Sequence, residues 1–163
     1  MTRFHKLVLA SAIATLAVIA TAASASGSAA RSAQALQFLS VQQHETLVPR
    51  VGPSAPVPIG GRLIFTDTIY NHAAQFGKPS GTRVGKSEGV CTIVAEGTAQ
   101  CTITAHLPNG DFIAIGAIAL QQKPTTNTSA IVGGTGAYAT THGSATTTPL
   151  SHKQTLLVLH LHA

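Results

Sequence analysis

The sequence predicts an all-β domain of eight short antiparallel strands, and three observations predict it. Apolar and polar residues alternate through a series of short runs, Gly, Pro and Asn punctuate those runs at close intervals, and no stretch beyond the N-terminal apolar segment carries a helical period. Composition agrees: charged residues make up 9%, aromatics 4%, and Trp is absent, so polarity rests on Thr, Ser, Gln, Asn and Gly, residues that suit sheets and turns. Strands of this number and spacing pack either as a closed barrel or as a sandwich.

The N-terminus reads as a leader. Arg3 and Lys6 precede an almost wholly apolar run over residues 7–23, and Ala23-Ser24-Ala25 places small residues at the two positions a signal peptidase reads, which predicts a secretory signal peptide over residues 1–25. A membrane anchor needs a longer run than this one, which Ser11, Thr15 and Thr21 interrupt, and no later segment could span a membrane as a helix. Residues 26–34 are small and polar and are expected to form a disordered linker, leaving residues 35–163 as one domain of ordinary size. The expected location is secreted or extracytoplasmic.

Strand by strand, residues 35–43 alternate through Leu36, Phe38 and Ser40, and the four prolines of residues 49–61 then exclude helix and interior strand. Residues 62–70 alternate cleanly, with Leu63, Phe65, Asp67 and Ile69 on one side and Ile64, Thr66, Thr68 and Tyr70 on the other. Residues 71–83, with Gly77, Pro79 and Gly81, form a loop. Residues 84–94 and 99–107 form a hairpin around Glu96-Gly97, and Pro108-Asn109-Gly110-Asp111 turns the chain into residues 112–120. A polar loop over 121–128, a short strand over 129–132, the Gly133-Gly134-Thr135-Gly136 turn, and strands over 143–148 and 154–162 complete the set.

Cys91 and Cys101 are the two cysteines of the chain, and export makes a disulfide across the hairpin their default state. Closing so short a loop stabilises by ~2.5–3 kcal/mol on the chain-entropy model. The net charge of +5 falls to +3 without Arg3 and Lys6, and the remaining basic residues are scattered with no interleaved aromatic series, which argues against nucleic acid. The glycine-rich turn lacks the Lys-Ser/Thr of a phosphate cradle, and no Ser occupies a nucleophile elbow. No cofactor motif is present. His160 and His162 share a strand face, but a metal would need a third ligand such as His106 or His152, and no ligand motif at metal spacing supplies one.

The segment Ala130-Ile131-Val132-Gly133-Gly134-Thr135-Gly136-Ala137-Tyr138, followed by His142-Gly143, is similar to the GGTG turn before the penultimate strand of dirigent proteins, allene oxide cyclases and their bacterial relatives. Phe65-Thr66-Asp67 through Tyr70, Val84-Gly85 through Glu88-Gly89-Val90-Cys91, and Leu107-Pro108-Asn109-Gly110 join it in the family's order, so the resemblance covers most of residues 35–162. It implies an eight-stranded antiparallel β-barrel, often a homotrimer, with an apolar lumen open at one end in which plant members guide a reactive small molecule. An enzyme of this type would be an isomerase or cyclase.

Carried over residue by residue, the resemblance puts Ser40 where cyclases have a glutamate and dirigent proteins an aspartate, Gln42 at a water-binding asparagine, and Pro49 at a pocket proline. Ala137 stands at a dirigent aspartate and His142 at an arginine. Phe38 and Phe65 are then expected in the wall, Tyr70 and Tyr138 as groups that orient a phenolic or carbonyl ligand, and His142 as a general base. Asp67 is the carboxylate of greatest interest, because an apolar strand face would raise its pKa and fit it for acid–base work. Two functions follow: a lumen that binds a small apolar or phenolic molecule and steers its cyclisation or coupling, or a non-catalytic extracellular scaffold. The interior separates them, since a scaffold has a packed, dry core and a ligand handler a cavity of a few hundred Å³.

Overall fold

Side chains alternate inward and outward along the barrel wall of the computed structural model, which describes residues 34–52, 57–120 and 125–162. The strands are β1 Gln34–Val48, β2 Arg62–Asn71, β3 Arg83–Ala95, β4 Thr98–Leu107, β5 Gly110–Ala119, β6 Asn127–Gly134, β7 His142–Pro149 and β8 Gln154–His162. Each pairs antiparallel with its neighbour in sequence, and β8 pairs back onto β1, closing a barrel without a free edge. Of the two packings that alternation leaves open, the chain adopts the barrel. The expected leader lies outside the described residues, as does the expected linker apart from Gln34, the first residue of β1.

The strands fall where the alternation puts them, with two extensions: β6 runs Asn127–Gly134, two residues past the expected 129–132 at each end, so Gly133 and Gly134 of the expected turn are strand, and β1 is also longer. β1 continues five residues past Gln43 to Val48, because an irregularity between Gln42 and His44 shifts its register on β2. Beyond that bulge the pair Thr46 and Ile64 and the pair Val48 and Arg62 run on with exposed side chains, so the polar residues that ended the predicted strand belong to a solvated ribbon.

The inward residues sort by height along the barrel axis. At the end that holds the loop after β2, Leu36, Phe38, Ile69, Leu107, Phe112, Tyr138, Leu159 and Leu161 form a filled floor. Phe38 stacks on Phe76 with ring centroids 6.1 Å apart, and Phe112 meets Tyr138 edge-on at 6.3 Å. Gly134 and Gly136 admit this packing: a Cβ on Gly134 would lie 2.1 Å from the Asp111 carbonyl oxygen, and Gly136 has φ of 56° with the Asn109 carbonyl oxygen in the same space. The GGTG segment is therefore a close backbone crossing in which Gly133 and Gly134 end β6, and the chain turns at Thr135 and Gly136 to seat Tyr138.

At the opposite end Cys91 and Cys101, directly paired between β3 and β4, form the expected disulfide, and both are fully buried inside the barrel. Ile93, Ala99, Leu63 and Phe65 pack around it, together with Val57 from the proline-rich loop, which is tied down by paired backbone hydrogen bonds between Ile93 and Gly60 and Gly61. Replacing both cysteines by alanine is expected to lower stability by ~2.5–3 kcal/mol through the released entropy of the unfolded chain. Urea unfolding of both forms checks this, and a loss under about 1 kcal/mol would show that the ladder alone holds the hairpin.

Candidate functional site

Between the aromatic floor and the disulfide end the inward positions turn small: Ser40 on β1, Ser87 and Gly89 on β3, Ala105 on β4, Ala114 and Gly116 on β5, Ser129 on β6 and Ala145 on β7. Side chains of this size cannot meet across a barrel, and a cavity of about 230 Å³ remains. Phe65 borders it and packs its ring on its cross-strand partner Gly89, where a Cβ would come within 2.5 Å of the ring. Phe112, Ile103, Ile118, Leu157 and the disulfide supply the rest of the apolar wall.

Asp67 projects into this space from the middle of β2. Its Oδ2 accepts a hydrogen bond from Ser40 Oγ at 2.8 Å, across the β1–β2 ladder. Burial pushes its carboxyl above the usual carboxylate range; the Ser40 hydrogen bond partly offsets this, and the nearby Glu45 carboxylate adds to the rise. A carboxyl so placed can lend a proton to a carbonyl, epoxide or phenoxy oxygen, or take one from a phenol. Ser40, where the resemblance places an acid, is thus the hydrogen-bond donor to an acid on the neighbouring strand.

The raised value fixes a pH dependence. Native Asp67 keeps its proton at pH values where the unfolded chain has released it, so its contribution to stability falls as pH rises from the ordinary carboxylate pKa through the native one. Asp67→Asn, which cannot ionise and retains an acceptor for Ser40, should match the unsubstituted protein at the acid end and be more stable above that window. Thermal melts from about pH 3 to pH 8 test the sign, and a variant less stable at neutral pH would contradict it.

The other expected site residues separate by position. Ser40, Phe65 and Asp67 meet in the cavity. Phe38 and Tyr138 are buried in the floor, where burial also pushes the Tyr138 phenol up. Gln42 sits at the rim, where its amide donates to Glu45 Oε2. Pro49 follows the solvated end of β1 and is exposed; the proline in the cavity wall is Pro149, on β7. Tyr70 faces outward beside Leu39 and Val41. His142 is exposed on the outer side of β7, its ring 5.9 Å from that of His162, so it does not reach the lumen. Among the described residues no three His, Cys, Asp or Glu side chains are grouped to hold a metal ion. Sequence reasoning missed Ser87, Ser129, Asn127 and Thr147, all of which line the cavity; small or hydroxylic residues recurring at inward positions are the signal that marks them.

No family model matches the chain, and a search of curated proteins finds no match. Solved structures do match. A pyocyanin demethylase is 22% identical, covering 79% of this chain and 100% of its own, with a TM-score of 0.64. An exo-specific intermolecular Diels-Alderase is 14% identical over 81% of this chain and 99% of its own, also with a TM-score of 0.64. A pterocarpan synthase dirigent protein is 18% identical over 78% of this chain and 85% of its own, with a TM-score of 0.56. The chain therefore has the eight-stranded barrel fold shared by dirigent proteins and cyclase-type barrels.

Proposed function

We propose that the barrel binds a small apolar or phenolic molecule in its lumen and steers the cyclisation, isomerisation or coupling of that molecule by fixing one conformer. The observation that carries this reading is the hollow itself: about 230 Å³ walled by apolar side chains, with one carboxyl held by one hydroxyl. A scaffold barrel has no use for a half-buried carboxyl facing an apolar hollow, where its raised pKa costs stability at neutral pH, whereas a ligand site has one. A Diels-Alderase and a pterocarpan synthase dirigent protein with the same barrel support steering chemistry on this fold.

Asp67 acts on this reading as the proton donor or acceptor, Ser40 orients it, and Phe65 with the Cys91–Cys101 disulfide holds the ligand plane. Export through the leader is part of the same proposal, supported by a fully buried disulfide that an oxidising compartment would form; assembly as a homotrimer rests on the family resemblance. Incubating the purified protein with a panel of phenolics and unsaturated fatty-acid oxides, reading both binding and product stereochemistry, tests the function. Binding with an altered isomer ratio is expected, and neither binding nor altered stereochemistry would refute it.

A further inference from the structure

From the charges of the lumen we infer that its ligand is a planar molecule of about two fused rings, neutral or cationic, that carries an N–H or O–H donor, and that acid anions are excluded. The inference rests on the reading of the lumen as a ligand site and narrows it. Among the described residues that line the cavity, Asp67 is the one ionisable side chain; the polar remainder are hydroxyls, such as Ser87, Ser129 and Thr147, and the Asn127 amide. No lysine, arginine or histidine is among them to neutralise a carboxylate, phosphate or sulfate. The nearest charge at the rim has the same sign, since Glu45 is hydrogen-bonded to Gln42 and acts on Asp67 electrostatically. An anion entering such a space loses its hydration with no cation to replace it, and it meets the Glu45 charge at the rim and, above the raised pKa of Asp67, that carboxylate as well.

What the carboxyl lacks indicates what the ligand brings. Ser40 Oγ occupies Oδ2, and no other donor among the described residues reaches Asp67. The Asn127 amide is already engaged, its oxygen by the Ala119 backbone N–H and its nitrogen by the Thr125 carbonyl oxygen. When Asp67 is ionised, a donor on the ligand is thus the missing partner of its other oxygen. Size follows from volume, because an apolar cavity of about 150 Å³ holds benzene, and this one is half as large again. The Phe65 ring, packed on Gly89 at the cavity edge, and the apolar wall favour an aromatic ring system over a flexible chain.

One aromatic scaffold in four forms tests this by calorimetric titration of the folded full chain: naphthalene, 2-naphthol, 2-naphthylmethylammonium and 2-naphthoate. In the unsubstituted protein the naphthol and the ammonium should bind at least about tenfold more tightly than naphthoate, with the ammonium advantage on the order of a hundredfold. In Asp67→Asn the ammonium-to-naphthoate gap should shrink to within about threefold while naphthalene binds as before; Asp67→Ser serves if the first variant does not show the native circular dichroism spectrum. Glu45→Gln, which removes the rim charge alone, should keep most of the gap. Naphthoate binding as tightly as the ammonium, or a gap that survives loss of Asp67, would overturn the inference while leaving the lumen a ligand site. Failure of all four probes to bind would remove the ligand-site reading itself, and the inference with it.

Discussion

Filling the lumen by Ala114→Phe is expected to abolish ligand binding, lowering the affinity for 2-naphthol by about a hundredfold or more, while the barrel still folds. Ala114 is buried in the cavity wall, opposite Ile103 on β4, so a benzyl group there takes up much of a space of about 230 Å³. The substitution adds bulk where there is room, so its cost in stability should stay within the ~1–3 kcal/mol typical of added core volume. Thr128→Phe, which adds the same group at an exposed position on the outer side of β6, should leave binding within about twofold. Calorimetric titration beside a urea melt separates a blocked site from a broken fold. Unchanged binding in Ala114→Phe would place the ligand elsewhere.

The largest loss of stability is expected in the floor. Phe38 is fully buried, lies between the ladders to β2 and β8, and stacks on Phe76. Its truncation to alanine removes a whole ring where neighbouring Ile69 and Leu159, themselves fully buried, have little freedom to close the gap. A cost of about 3–5 kcal/mol, or a fall in Tm of roughly 10–20 °C, follows. Ile115→Ala removes an apolar side chain from the outer wall of β5, where it is 37% exposed, and should cost no more than about 1 kcal/mol. Similar losses for the two variants would mean that the floor is not the stabilising core. A Phe38 loss confined to stability, with ligand affinity kept at low temperature, is also expected, because Phe38 supports the lumen without lining it.

These two variants mark the boundary of what the sequence disclosed. Alternation tells which side of a strand a residue faces, and on that ground Leu63, Phe65, Asp67 and Ile69 were legible as one inner face. It does not tell height along the barrel axis, which depends on how the strands are staggered as the sheet closes. Phe38 and Ser40 share a face of β1, yet one lies in the floor and the other in the cavity. Tyr138 enters the floor from a single 3-10 turn, Gly136–Tyr138, whose path no strand periodicity describes.

Gln42 and Pro49 illustrate a second limit. The register shift between Gln42 and His44 comes just past the end of the ladder to β8 and leaves the end of β1 paired to β2 alone, so a match that counts residues evenly past the bulge places Pro49 in a pocket it does not reach. His142 and Tyr70 illustrate a third, since position in a motif says nothing of face: Gly143 and Ala145 point inward on β7, and His142 alternates with them to the outside. The cavity was legible only in retrospect, in the small residues at inward positions. Ser87, Gly89, Ala105 and Ala145 each look unremarkable in their own strand, and they make a hollow only because the closed sheet brings them to one level.

The most direct measurement is a nuclear magnetic resonance titration of the isotopically labelled protein with 2-naphthol, following backbone amide and methyl shifts. Saturable shifts confined to Ser40, Asp67, Ser87, Cys101, Ala114 and Ser129, with Tyr70 and His142 unmoved, are the result expected of an internal binding site. Shifts confined to the outer wall around Leu39, Tyr70 and His72, or none at saturating probe, would contradict it.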